Sequence, residues 1–208
     1  LSLVNPALHT DHAVCGVGLR KPVVDIRPQG MQRQLALEIP LRTRNLRAVQ
    51  TTEAMLDAMG QAGRSFEKVD ALIEQQAPGW RGEPVEKVYT PEFLAYKNAK
   101  GADLVPPQGE SLRTVQRRTS GWLEDEIVYN EELVASEQPL RIAVVGHGTA
   151  SQCLFHYIMG FDDRLITRFT LDNCSISRFC FNKQGWFPIC INDSTHLNGY
   201  EGSSKRPS

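Results

Sequence analysis

The segment Ile142-Ala143-Val144-Val145-Gly146-His147-Gly148 constrains the fold of this chain more than any other. It follows Pro139 and is apolar without alternation, the pattern of a strand covered on both faces. The strand ends at a histidine between two glycines, and a helix begins there with Ala150, Cys153, Leu154, Tyr157 and Ile158 along one side. A buried strand running into a glycine-flanked turn and then a helix implies an α/β architecture. In open α/β sheets, ligands sit beyond the carboxyl ends of the strands. His147 stands at such an end, beside a helix N-terminus whose free N–H groups favour anions.

The remaining elements are read around that unit. Leu1 to Val4 is a short apolar strand stopped by Asn5-Pro6, and Pro6 to Gly30 reads as loop. Asn45 to Met59 is a helix capped by Asn45, with Leu46, Val49, Leu56 and Met59 near one face. Val69 to Ile73 reads as a short strand. Glu74 to Pro107 is rich in proline and glycine and reads as a functional loop or lid carrying a short helix near Pro91 to Asn98. Glu110 to Ile127 is a helix with Leu112, Val115, Thr119 and Trp122 at helical spacing, and its Arg113, Arg117 and Arg118 read as a solvated face. Ser175 to Phe181 and Trp186 to Ile191 are strands joined by a hairpin turn at Asn182 to Gly185. One domain over residues 1–197 and a disordered polar tail over 198–208 are expected.

Composition narrows the function. The 208 residues hold 23 Lys+Arg and 24 Asp+Glu, a net charge of -1, so nothing favours nucleic acid or an anionic membrane as partner. No stretch nears the ~20 apolar residues of a membrane span. The five cysteines (Cys15, Cys153, Cys174, Cys180, Cys190) form no CxxC pair and no zinc-finger spacing, and read as free thiols in a reducing, cytoplasmic setting. With no metal-ligand spacing and no dinucleotide-binding glycine pattern, no cofactor is expected.

Several motifs in order resemble those of the histidine phosphatase superfamily. Val144-Val145-Gly146-His147-Gly148 is similar to its second histidine motif, and Asn45-Leu46-Arg47-Ala48-Val49-Gln50-Thr51-Thr52-Glu53 to its arginine-bearing helix start. Leu72-Ile73-Glu74 with Gly79-Trp80-Arg81-Gly82 resembles its acid-bearing loop. Gly109-Glu110-Ser111, Asp172-Asn173-Cys174-Ser175 and Asn192-Asp193-Ser194-Thr195-His196-Leu197 match further signatures. The resemblance implies a phosphoglycerate-mutase-like fold: a three-layer α/β sandwich with a mostly parallel central sheet flanked by helices. It implies Arg47 as a phosphate clamp, Glu74 as the general acid and His147 as the second histidine.

The family's nucleophile is a histidine in an Arg-His-Gly triplet after the first strand. With Leu1 to Val4 as that strand, the triplet reads Asn5-Pro6-Ala7, and proline cannot take a phosphoryl group. The expectation is a protein that binds a small anionic or organic ligand, or a protein partner, in the cleft without phosphatase chemistry. The alternatives are acid/base catalysis by Glu74 and His147 on a non-phosphate substrate, and weak phosphomonoesterase activity. Trp80 and Gly148 join Arg47 and His147 as candidate ligand contacts. His9 and His12 read first as loop histidines and second as substitute bases, while His156 and His196 read as structural.

Overall fold

In the computed structural model, which describes residues 10–16, 46–135, 141–162 and 170–197, β2 (Arg141–Gly146) is covered on its two faces by different helices. Side chains alternate across a strand. Ile142 and Val144 pack with Leu154 and Phe155 of α6 (Gly148–Met159) and with Trp122 and Leu123 of α4 (Leu112–Leu123). Val145, with Ala143 beside it, packs with Ala48 and Leu56 of α1 (Leu46–Ala58).

Among the described residues the sheet has four strands in the order β2-β1-β3-β4. Its second member, β1 (Thr10–Gly16), lies in the stretch read as loop, a correction to the sequence reading. β1 runs parallel to β2 with Asp11 opposite Arg141 and Gly16 opposite Gly146, and antiparallel to β3 (Ser175–Asn182) with Thr10 opposite Phe181. Its composition hid it, because Thr10-Asp11-His12 opens polar and β propensity is weak there. Ladder bonds from neighbours on both sides override that preference. β3 and β4 (Gly185–Asp193) form the expected hairpin, with Gly185 at φ +112° where a Cβ would be strained. A tight hairpin joins only antiparallel strands. So one of the three pairings among the described residues is parallel, and the sheet there is mixed rather than mostly parallel. β4 is an edge in this order, and Pro188 within it removes a backbone donor, a device that blunts edge-to-edge pairing. The expected strand Leu1–Val4, the Asn45 cap and the 198–208 tail lie outside the described residues.

The helices depart from the apolar pattern in an instructive way. In α1 the buried face is Ala48, Thr52 and Leu56, whereas Leu46 is 67% and Met59 43% exposed. Thr52 can be buried because its hydroxyl donates to the Ala48 carbonyl at 2.9 Å, and Thr119 in α4 does the same to Val115 at 3.0 Å. α4 starts at Ser111, whose Oγ accepts from Thr114 N at 3.1 Å. It buries Val115, Thr119 and Trp122 as expected and continues into a π-helical turn at Glu124–Val128. On α6, Tyr157 points outward instead of inward, and its hydroxyl donates to Glu124. His156 is structural: Gln116 Nε2 donates to its Nδ1 at 2.9 Å, and its Nε2–H donates to the Asp162 carbonyl.

Val69 to Ile73 is not a strand. Asp70–Leu72 forms a 3-10 turn, with Leu72 N donating to the Val69 carbonyl at 3.1 Å, which brings Val69 and Leu72 together into the core. The segment after Glu74 is more ordered than expected, with α2 (Val85–Val88) and α3 (Pro91–Lys100), the latter capped by the Thr90 side chain at Phe93 N. A short helix, α5 (Glu131–Ala135), was not expected from the sequence. No helix among the described residues is long and apolar enough to cross a membrane.

The core is closed between α6 and β3 by Phe155 and Phe179, whose ring centroids lie 4.9 Å apart and which are each 1% exposed. Truncating such a side chain removes its transfer energy and leaves a cavity. Phe155→Ala is therefore expected to lower unfolding free energy by about 3–5 kcal/mol. Urea denaturation followed by far-UV circular dichroism checks this, and an unchanged midpoint contradicts the packing described.

Candidate functional site

β2 delivers His147 to the head of α6. Its backbone is extended (φ -121°, ψ 160°), its carbonyl accepts the first-turn bond from Ser151 N at 2.9 Å, and its side chain turns inward to 2% exposure. Among the described residues Nε2 has no hydrogen-bond partner. A buried imidazole nitrogen without a partner is costly, on the order of 1–3 kcal/mol, and such atoms mark places built to meet something else. Burial pushes the His147 pKa below the ordinary histidine value; the Glu74 carboxylate opposes that shift and the Arg47 charge adds to it.

Glu74 reaches the same helix end. Its Oε2 accepts from Thr149 N at 3.2 Å, and its Oε1 from Ala150 N at 3.1 Å and from Gln75 N at 2.8 Å. The N-terminal amides of α6, expected to be free for an anion, are thus partly taken by a side chain of this chain. A carboxylate is the natural partner for them, because the helix dipole and the unpaired N–H groups both favour negative charge there.

Arg47 lies in the first turn of α1, exposed, and α1 is held beside β2 by Ala48 and Leu56 against Val145. The structure therefore gathers His147, Glu74 and Arg47 around the carboxyl end of β2. Gly148 is the first residue of α6, and a Cβ there would meet no atom within 4 Å, so the glycine leaves open space at the helix head. Trp80 is half-buried in a different company. It packs edge-on against Phe93 at 5.4 Å and beside Tyr89 at 6.4 Å, along a groove shared with Leu104 and Pro107. His12 is in mid-strand, paired with Ile142 and Phe179, rather than in a loop past a strand end. His9 lies outside the described residues. No group of three or more His, Cys, Asp or Glu among the described residues could hold a metal ion. Cys153, within α6 itself, is fully buried with its thiol pushed up to about 12 by burial.

Two residues escaped the sequence reading. Glu110 was noted only as part of a motif and Arg118 as part of a solvated cationic face. They form a half-buried bidentate pair at 2.7 and 3.1 Å, with side chains 17% and 20% exposed. Glu110 stands before the Ser111 cap, outside α4, so no helical spacing in the sequence links it to Arg118.

With this geometry described, comparison with known proteins gives a consistent answer. The sequence profile of the histidine phosphatase superfamily (branch 1) matches residues 38–194, and the chain belongs to that family. It is 31% identical over 135 residues to a probable phosphoglycerate mutase, GpmB, of Klebsiella pneumoniae, covering 62% of this chain and 53% of the relative. It is 34% identical over the same length to that of Cronobacter sakazakii, with the same coverage. The chain thus spans about half the length of these relatives. Among solved structures, a mycobacterial glucosyl-3-phosphoglycerate phosphatase superposes with TM-score 0.69 at 17% identity, covering 90% of this chain and 100% of that one. Bacillus stearothermophilus YhfR superposes with TM-score 0.67 at 16% identity, covering 90% and 99%. These likenesses establish the phosphoglycerate-mutase-like α/β fold.

The shifted histidine has a consequence for stability. An unfolded-state histidine titrates near 6.5, whereas folded His147 holds its proton only at lower pH. Below about 6.5 the unfolded chain therefore binds more protons at this position, and stability falls as pH drops toward the folded value. The expected outcome is a melting temperature that declines between pH 7.5 and 5.5, with part of the decline removed in His147→Gln. Identical pH dependence in the two proteins contradicts the shift.

Proposed function

We propose that this chain binds a phosphate-bearing or similarly anionic small ligand at the head of α6, without forming a phosphohistidine. The observation that carries the reading is the buried His147 Nε2, which has no hydrogen-bond partner among the described residues and feels the charges of Glu74 and Arg47. An anion oxygen accepting from that nitrogen would satisfy it, and a guanidinium fork such as that of Arg47 suits phosphate oxygens. The ligand class is also supported by the relatives, whose names place them among enzymes of phosphoglycerates.

The second half of the proposal rests on sequence. The 208 residues contain no Arg-His-Gly triplet. Asn5-Pro6-Ala7, the triplet first aligned with it, lies outside the described residues. If β1 is taken as the first strand instead, the residues that follow it in sequence are Val17-Gly18-Leu19. On either alignment the position of the nucleophile carries no histidine. A fold of three layers is part of this reading and is supported by the helices on both faces of β2. So is a cytoplasmic setting, which suits the thiols of Cys153 and Cys190.

The proximity of Glu74 and His147 favours one other reading, acid/base catalysis on a non-phosphate substrate, because that chemistry needs two proton-handling groups rather than a phosphohistidine. Isothermal titration with inorganic phosphate, together with turnover of p-nitrophenyl phosphate, separates the readings. The expected result is saturable phosphate binding, weakened about tenfold or more in His147→Ala, as loss of a charge-assisted hydrogen bond implies, with turnover at background. Turnover that His147→Ala abolishes would overturn the non-phosphatase proposal in favour of a phosphomonoesterase. Absence of phosphate binding would overturn the anion site and leave the acid/base reading.

A further inference from the structure

We infer that Glu110 and Arg118 are positioning residues for the His147 site, a two-residue clamp that sets where the Glu74 carboxylate stands. Arg118 Nε and Nη2 donate to the two Glu110 carboxylate oxygens at 3.1 and 2.7 Å. The rest of the same guanidinium grips the backbone before the site: Nη1 donates to the Ala71 carbonyl at 2.5 Å and Nη2 to the Glu74 carbonyl at 3.4 Å. Glu110 in turn holds the residues just after Glu74. Its Oε1 accepts from Gln76 N at 3.1 Å, its own N donates to the Gln76 carbonyl at 2.9 Å, and its carbonyl accepts from Gln75 Nε2 at 2.8 Å. The backbone of residues 71–76 is thus fixed on both sides of the residue whose carboxylate reaches α6.

At Gly109 and Gly79 the two chain segments lie too close for a side chain. A Cβ on Gly109 would stand 2.2 Å from the Gln76 carbonyl oxygen, and one on Gly79 would stand 2.7 Å from that of Pro107. Glycine at both positions lets the loop before α4 lie flat on the acid-bearing loop. Arginine is the residue this job requires. Its planar fork carries five donors, and here one guanidinium serves a carboxylate and two carbonyls at once, which a lysine ammonium cannot reproduce.

Neither residue is placed against His147 itself. The charges that act on His147 are Glu74 and Arg47, and Glu74 is the one that opposes the effect of burial. A clamp that acts through Glu74 must therefore be visible at His147. This inference rests on the proposed role of the His147 site, but its test is read on the free protein and needs no ligand.

The experiment follows the His147 imidazole C–H resonance through a pH titration by NMR in the wild type, Arg118→Lys, Glu110→Gln, and each combined with Glu74→Gln. Arg118→Lys keeps the charge and removes the fork. Thermal melts show which variants are folded. The expected result is a His147 midpoint shifted to lower pH in Arg118→Lys and in Glu110→Gln, with the shift abolished in the Glu74→Gln background. Folded variants with an unmoved midpoint would overturn the clamp, as would a shift that survives Glu74→Gln. If neither variant folds, the pair is a stability element and the positioning role is overturned. A wild type that binds no phosphate yet shows the expected shifts leaves the clamp intact and removes only the ligand reading.

Discussion

The bond between the Glu74 carboxylate and the first-turn amides of α6 is the constraint on which the site depends. It spans a sequence separation of about 75 residues and joins a loop with little regular structure to the β2–α6 junction. Through it, the helix head gains a partner for two otherwise unpaired N–H groups, and the loop gains a fixed end. The same pairing holds the Glu74 carboxylate where its charge acts on His147.

The same bond explains how the site can be electrically mixed. Arg47 brings a positive charge, Glu74 a negative one, and His147 is kept neutral to lower pH by its burial. A histidine in such surroundings is a donor or acceptor chosen by its neighbours rather than by bulk pH. The chain's near-zero net charge of -1 is therefore uninformative about this site, because the two charges that act there, on Arg47 and Glu74, are local.

Much of this was legible in the sequence, and the reasons for success and failure are physical. The run from Ile142 to Val145 ending in Gly146-His147-Gly148 was legible as a strand followed by a helix start, because a short unbroken apolar run punctuated by glycines fits a strand covered on both faces. Val115, Thr119 and Trp122 were legible for the same reason, as a stripe at helical spacing. β1 was not, since a strand paired on both sides draws its stability from ladder bonds that side chains do not encode. The buried face of α1 was misjudged because Thr52 hides its hydroxyl in a bond to its own helix, which an apolar count cannot see. Arg118 was misjudged because its partners, Ala71, Glu74 and Glu110, are distant or backbone groups that no local charge pattern reveals.

The central claim is that His147 presents a buried nitrogen to an anion. The most direct measurement is the NMR titration midpoint of the His147 imidazole, recorded with and without saturating inorganic phosphate. An anion that accepts from Nε2 stabilises the protonated ring. The midpoint should then move to higher pH when phosphate is present. A midpoint that is the same in both conditions, in a folded protein, would contradict the account.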